Sequence, residues 1–204
     1  MALACMALVS CKPDGVDGKH HGHEYVDLGL SVKWAISNLG ASCPEDYGHY
    51  FAWGETTTKE IYDEESCPTY GLNYSKLQSE GYIGDKGNLT AEYDAATANW
   101  GGDWRMPTYD ELNELRKECT WIWTTSSGVS GYTIVGPNGG TIFLPAAGNR
   151  GMSSLSNDGK LGHYWSSTPD FSYDNSYSIR FASGARNMCS DGRNSGKSIR
   201  PVME

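Results

Sequence analysis

Along most of this chain hydrophobic and polar positions alternate in short runs bounded by glycine, proline and asparagine, the pattern of strands and turns rather than of long helices. Tyr25-Val-Asp-Leu and residues 31–38 predict two short strands around Gly29, the second placing Val32, Trp34 and Ile36 on one face. Residues 49–54, following the Pro44 turn, predict a further apolar strand. Residues 55–90 are polar with no dominant period and predict a long irregular excursion. Residues 91–100 predict a short helix stopped at Gly101-Gly102, where glycine supplies the left-handed cap that a side chain resists. Thr108 with Glu111 makes a capping-box pattern after Pro107, and Leu112, Leu115 and Cys119 share one face, predicting a helix over 109–118. Trp121-Ile-Trp-Thr-Thr, Tyr132-Thr-Ile-Val, a Pro137-Asn-Gly-Gly turn and Thr141-Ile-Phe-Leu predict an antiparallel meander. Strand signals recur at Tyr164-Trp165, 177–182 and 198–202. Two short helices in an antiparallel, loop-rich sheet define an α+β domain over 24–204 without internal repeats.

Composition narrows the function. The 204 residues are 38% hydrophobic and 20% charged, enough for one real core and incompatible with disorder. A net charge of -9 with dispersed Lys and Arg excludes nucleic acid as the expected partner, because phosphate neutralisation needs a basic surface. No catalytic constellation stands out. Gly-x-Ser-x-Gly, phosphate-binding glycine loops and paired metal-ligand histidines are missing from the domain, so no catalytic residue, metal or cofactor is expected. His49 and His163, beside Tyr50 and Tyr164, read as satisfied structural residues. Cys43, Cys67, Cys119 and Cys189 allow three disulfide pairings that sequence does not separate, and a domain of this size needs none.

Residues 1–10 form a short apolar run that reads as the end of an export signal. Leu8-Val9-Ser10-Cys11 resembles the lipobox of bacterial lipoproteins, which implies lipidation at Cys11, membrane attachment through that lipid, and residence in the outer membrane at the cell surface. No positive charge precedes Cys11, which points to a start farther upstream. Residues 11–23, polar and glycine-rich, read as a flexible tether. Its His20, His21 and His23 are compatible with a transition metal, but a solvated linker is the simpler reading.

Trp100-Gly-Gly-Asp-Trp-Arg-Met-Pro-Thr, with Glu111-Leu in the following helix, resembles the hallmark of the Fibrobacter succinogenes major paralogous domain family. Val26-Asp-Leu-Gly-Leu-Ser-Val-Lys-Trp-Ala, Phe51-Ala-Trp-Gly-Glu-Thr, Leu144-Pro-Ala-Ala-Gly, Tyr164-Trp-Ser-Ser and Ser198-Ile-Arg-Pro-Val resemble further blocks of that family, in order, across residues 25–202. The resemblance implies a C-type lectin-like fold. Calcium-dependent lectins of that fold carry Glu-Pro-Asn or Gln-Pro-Asp, whereas this chain has Gly136-Pro137-Asn138, so calcium-dependent sugar binding is not expected. The fold also resembles that of formylglycine-generating enzymes, which use paired cysteines where this chain has Cys189 alone. Trp34, Trp100, Trp104 and Trp165 lie within family blocks and read as core.

The stretch 170–195 is rich in Tyr, Ser, Asn, Asp and Gly, a composition shared with antibody paratopes. Glu, Lys, Trp and Gln, 29 residues of the chain, are absent from it, although proportion alone would place about four there. That absence fits codons ending in a pyrimidine and randomised at adenines. The tail resembles the variable proteins of diversity-generating retroelements, with Ser198-Ile-Arg-Pro-Val as its fixed anchor. The resemblance implies ligand-binding positions at Asp170, Phe171, Tyr173, Asp174, Ser178, Arg180, Ala182, Asn187, Cys189, Ser190, Asp191, Asn194 and Ser195. Alternation predicts Tyr177, Ile179 and Phe181 inward and Ser178, Arg180 and Ala182 outward. The expected partner is a protein or glycan on another cell, phage or host. The alternative is a non-variable adhesin or structural domain of the same fold, in which the tail merely packs.

Overall fold

The structure, a computed structural model, describes residues 15–204, so Cys11, the signal segment 1–10 and the start of the tether lie outside the described residues. The fold is α+β and its sheets are antiparallel. Strands β1 (Gly18–His20), β2 (His23–Val26) and β3 (Lys33–Ala35) are followed by helices α1 (Tyr74–Ser79), α2 (Ala95–Trp100) and α3 (Tyr109–Glu118). Then come β4 (Thr120–Ser126), β5 (Val129–Val135), β6 (Thr141–Pro145), β7 (Asn149–Gly151), β8 (Ser154–Ser156) and β9 (Gly162–Pro169). The chain closes with β10 (Asn175–Ala182), β11 (Ala185–Gly192) and β12 (Val202–Met203). Four sheets result among the described residues, in the orders β1-β2-β3-β12, β11-β10-β9, β4-β5-β6 and β7-β8.

Local chemistry sets the helix boundaries. Thr108 Oγ1 accepts from the Glu111 amide at 3.3 Å while Glu111 Oε2 accepts from the Thr108 amide at 2.8 Å, the reciprocal cap the sequence predicts, and α3 runs over the predicted residues. Helix α2 is shorter than its predicted span, because Asp94 caps it, accepting from the Thr97 amide at 3.0 Å and the Met106 amide at 2.8 Å. Gly101, at φ 67°, ends it.

Residues 18–23, expected within a flexible tether, instead form the β1–β2 hairpin. Trp104 Nε1 donates to the His20 carbonyl at 3.0 Å and the His23 ring stacks on Trp100 at 3.7 Å, so these two tryptophans hold the hairpin down. The 55–90 excursion also departs from expectation: it contains α1, capped by Asn73, and buries Leu77, Ile83 and Leu89. Three helices are therefore present among the described residues where two were expected. Residues 49–54 form no named strand and are stitched in by the isolated Phe51–Lys197 bridge.

The core has two main parts. In one, Leu112 and Leu115 of α3 pack with Trp34, Tyr132, Ile134, Tyr164, Ile179 and Phe181. In the other, the excursion and α2 pack on Trp53, Trp165 and Ile199. Each fully buried aliphatic side chain in these clusters stabilises the fold by about 1.5–3 kcal/mol. Trp34, Trp104 and Trp165 are buried as predicted, and Trp100 is half-buried. The end of the chain returns to its beginning: Val202 pairs with Trp34 in β3, and Arg105 bridges to Val202.

Candidate functional site

The thirteen predicted positions fall on three structural parts of residues 170–195. Asp170, Phe171, Tyr173 and Asp174 lie in the β9–β10 loop, Ser178, Arg180 and Ala182 on β10, and Asn187, Cys189, Ser190 and Asp191 on β11, with Asn194 and Ser195 just beyond. In the loop, Phe171 is 81% and Tyr173 61% exposed, large rings held in water. Phe171 stacks on Tyr74 of α1 at 5.8 Å, so the excursion supports the loop from its side.

Beneath the loop lies Arg193, fully buried and paired with no carboxylate among the described residues. Its Nη1 donates to the carbonyls of Leu72 at 2.7 Å, Thr69 at 3.0 Å and Tyr173 at 3.1 Å, and its Nε to Ser176 Oγ at 3.0 Å. The guanidinium sits over Trp53 at 5.1 Å. Burial lowers its pKa to about 10, which leaves it charged at neutral pH. One side chain thus ties the loop, β10 and the excursion together. Arg200 does the same for the anchor, donating to the carbonyls of Ala35, Ile36 and Phe143 and to Asn38 Oδ1.

Register divides the strands. Ser178 opposes Cys189 and Trp165, Arg180 opposes Asn187 and His163, and Ser176 opposes Asp191, which places those side chains on one face. Tyr177, Ile179 and Phe181 occupy the other with Ser190, Met188 and Arg186, turned toward α3. Ser190 Oγ makes a short hydrogen bond to Asp170 Oδ2 there, so the predicted positions do not share one face.

The predicted orientation of Ser178 is corrected. It shares the face of Arg180, as alternation requires, but it is buried, and its Oγ donates to Asp191 Oδ2 at 2.5 Å. The segment after β11 folds back over that end of the sheet and covers it: Lys197 lies over the Trp165 ring at 4.2 Å. Only the Arg180–Asn187 end is open to solvent, and Ala182, at the edge of the turn, is half-buried. Tyr177, expected inward, is half-buried against Tyr109, ring centroids 4.6 Å apart.

At the junction of covered and open ends sits a polar cluster. Lys197, 2% exposed, pairs with Asp191 at 2.5 Å. Burial lowers the Lys197 pKa to about 8, with Asp191 opposing the fall. Burial works to raise the Asp191 carboxyl, and the Lys197 charge with the Lys197 and Ser178 hydrogen bonds outweighs it, leaving the pKa below the usual carboxylate range. His163 is 7% exposed, and neither ring nitrogen has a hydrogen-bond partner among the described residues. Burial, then the Lys197 charge, lowers its pKa to about 4. The expectation of a satisfied structural histidine is therefore corrected. His163, Arg193, Lys197 and Arg200 are the residues that sequence reasoning missed; the available signal was three cations within eight positions of a tail otherwise poor in lysine.

Cys67, Cys119 and Cys189 carry free thiols, with Cys67 and Cys119 buried and Cys189 half-buried. Among the described residues no group of three or more His, Cys, Asp or Glu is placed to hold a metal ion, and no helix is long and apolar enough to cross a membrane. Four clefts of about 350 to 550 Å³ open on the surface, and Tyr177 is the one residue of 170–195 that lines any of those four. The roomiest, about 550 Å³, is lined by Asp94, Arg105 and Glu111, which are already engaged in capping α2 and α3. No protein-family model, curated protein or solved structure matches the chain.

Proposed function

We propose that this is a surface-anchored bacterial lipoprotein, exported and held in the outer membrane through Cys11, whose C-type lectin-like domain presents residues 170–195 as a non-enzymatic binding face. The face is diversified by a retroelement and meets a protein or glycan on another cell, phage or host. The observation that carries the reading is the division of the tail into exposed and immobilised positions. Phe171, Tyr173, Arg180, Asn187 and Ser190 are exposed, while Ser176, Ile179, Phe181 and Arg193 between them are buried. The anchor that follows, residues 196–203, is buried throughout. A rigid frame carrying exchangeable side chains is what a diversified paratope requires, because preorganisation limits the ordering entropy lost on binding. The mixed α+β architecture with antiparallel sheets supports the lectin-like assignment.

Ser178 leaves the contact set, since its hydroxyl is already committed to Asp191. Affinity comes chiefly from Phe171, Tyr173 and Arg180, the aromatic and arginine anchors of the exposed set. Deep sequencing of the 3′ end of the gene and its flanking DNA tests the reading. Substitutions concentrated at the exposed codons, matching adenines of a nearby template copy and sparing Ile179, Phe181 and Arg193, are expected. An invariant tail without a template returns the domain to a non-variable adhesin. Anchoring is tested separately: Cys11→Ala is expected to release the protein from membranes, and continued retention refutes the lipid anchor.

A further inference from the structure

We propose that His163 and Arg180, at the open end of the β9–β10–β11 face, form a subsite for a single oxyanion carried by the ligand. The inference rests on the reading of residues 170–195 as the binding face and names the chemistry of one contact within it.

Two observations point to such a ligand. His163 is more than nine-tenths buried, yet Nδ1 and Nε2 both lack a partner among the described residues. An unsatisfied buried polar group costs about 1–3 kcal/mol, and a partner arriving from outside removes that penalty. Arg180 lies directly across from His163 in the sheet register, is exposed, and makes no hydrogen bond or ion pair among the described residues. A guanidinium left open beside an unpaired imidazole offers several donors to a planar or tetrahedral oxyanion.

The charges around the pair favour an anion. Arg180 faces His163 from β10, Asp191 from β11, and Lys197 from the segment after β11, while the half-buried Cys189 lies within electrostatic reach of Arg180, Asp191 and Lys197. Asp191 is engaged by Lys197 and Ser178, so the two cations exceed the one carboxylate and Arg180 remains uncompensated. In a chain of net charge -9 this is a locally positive spot on an acidic protein. The cations disfavour a proton on His163, and an oxyanion seated between His163 and Arg180 reverses that influence. Anion binding and His163 protonation are consequently coupled, each strengthening the other.

The experiment follows the His163 imidazole by carbon-13 NMR in the full chain, its resonance assigned by its loss in His163→Gln. Sodium sulfate and sodium acetate are titrated against sodium chloride at equal ionic strength, at about pH 5 and about pH 7. A saturable His163 shift with sulfate or acetate but not chloride is expected, tighter at the lower pH. The arm that binds better distinguishes a sulfate or phosphate group from a carboxylate. Arg180→Ala is expected to weaken the response at least about tenfold, through the loss of a charge-assisted guanidinium contact to the anion. Arg186→Ala, on the opposite face, is expected to leave it unchanged. No shift, or an equal shift in Arg180→Ala, overturns the inference. A variable tail in the sequencing test with no anion response refutes the subsite alone, whereas an anion response with an invariant tail refutes the diversified reading and leaves the subsite standing.

Discussion

Replacing Arg193 with methionine removes the guanidinium and keeps an unbranched side chain of similar reach. Four backbone carbonyls, those of Thr69, Leu72, Ser172 and Tyr173, then lose the guanidinium donor, and so does Ser176 Oγ. Each hydrogen bond from a charged donor contributes about 1.5–3 kcal/mol, but the buried guanidinium forfeits hydration, so the sum overstates the effect. Breaking a buried charged network of this kind destabilises by about 3–5 kcal/mol. For a domain of this size each kcal/mol lowers Tm by about 2–4 °C, which puts the expected drop at roughly 6–20 °C. Scanning calorimetry measures that drop, and amide hydrogen exchange localises it. Protection is expected to fall first around residues 172–175 and 69–72, the two segments the side chain joins, with α3 affected last. Arg193→Lys is expected to recover part of the loss, because an ammonium reaches some of the same carbonyls without the fork. A loss below about 1 kcal/mol in Arg193→Met, or uniform loss of protection, refutes the assignment of Arg193 as the tie beneath the loop.

Three further outcomes are expected. The His163 pKa is lowered from 6.5 to about 4, so between those values the unfolded chain binds a proton that the folded one refuses. Stability therefore falls as pH drops through that window, by up to about 3 kcal/mol, and urea titrations of His163→Gln lack this slope. Asp191, whose pKa is lowered, extends the acid loss below the window, since its contribution disappears as pH falls through its folded value. Lys197→Met strands the Asp191 carboxylate and is expected to lose about 3 kcal/mol in urea unfolding, whereas Lys197→Met combined with Asp191→Leu regains most of it; an equally unstable double variant contradicts this. Phe171→Ala removes a ring that is 81% exposed, so stability stays within about 0.5 kcal/mol while, on the proposed function, affinity for a ligand captured by the intact domain falls; unchanged affinity removes Phe171 from the face.

How legible these elements were depended on whether their stabilising partners lie nearby in the chain. Helix α3 and the β4–β5–β6 meander carry their signals locally, in the Thr108–Glu111 cap and the Pro137-Asn-Gly-Gly turn, and both stand where the pattern placed them. Helix α1 shows a single buried residue, Leu77, in six, too little for a period to emerge. The β1–β2 hairpin is polar and depends on Trp100 and Trp104, some eighty positions away. Strand β11 is a sheet edge with four of its eight residues exposed and none buried, so no apolar alternation marks it. Ser178 marks the limit of periodicity, which assigns a face correctly and says nothing of what folds over it. The buried cations were the least visible, because Arg193, Lys197 and Arg200 read as ordinary solvated charges until the carbonyls and carboxylate that surround them are placed.

The pairing of β12 with β3 brings together residues about 170 positions apart, and Arg200 reaches back to Ala35 and Ile36 across the same join. Until residue 203 has emerged from the ribosome, the first sheet therefore lacks its last strand. Any stop codon or frameshift within 170–195 removes Lys197, Arg200 and β12 together and leaves apolar surface for proteases and chaperones to recognise. The architecture thereby acts as a reading-frame check on its own tail: substitutions at the open positions leave these joins in place, but a tail that loses frame cannot complete the first sheet.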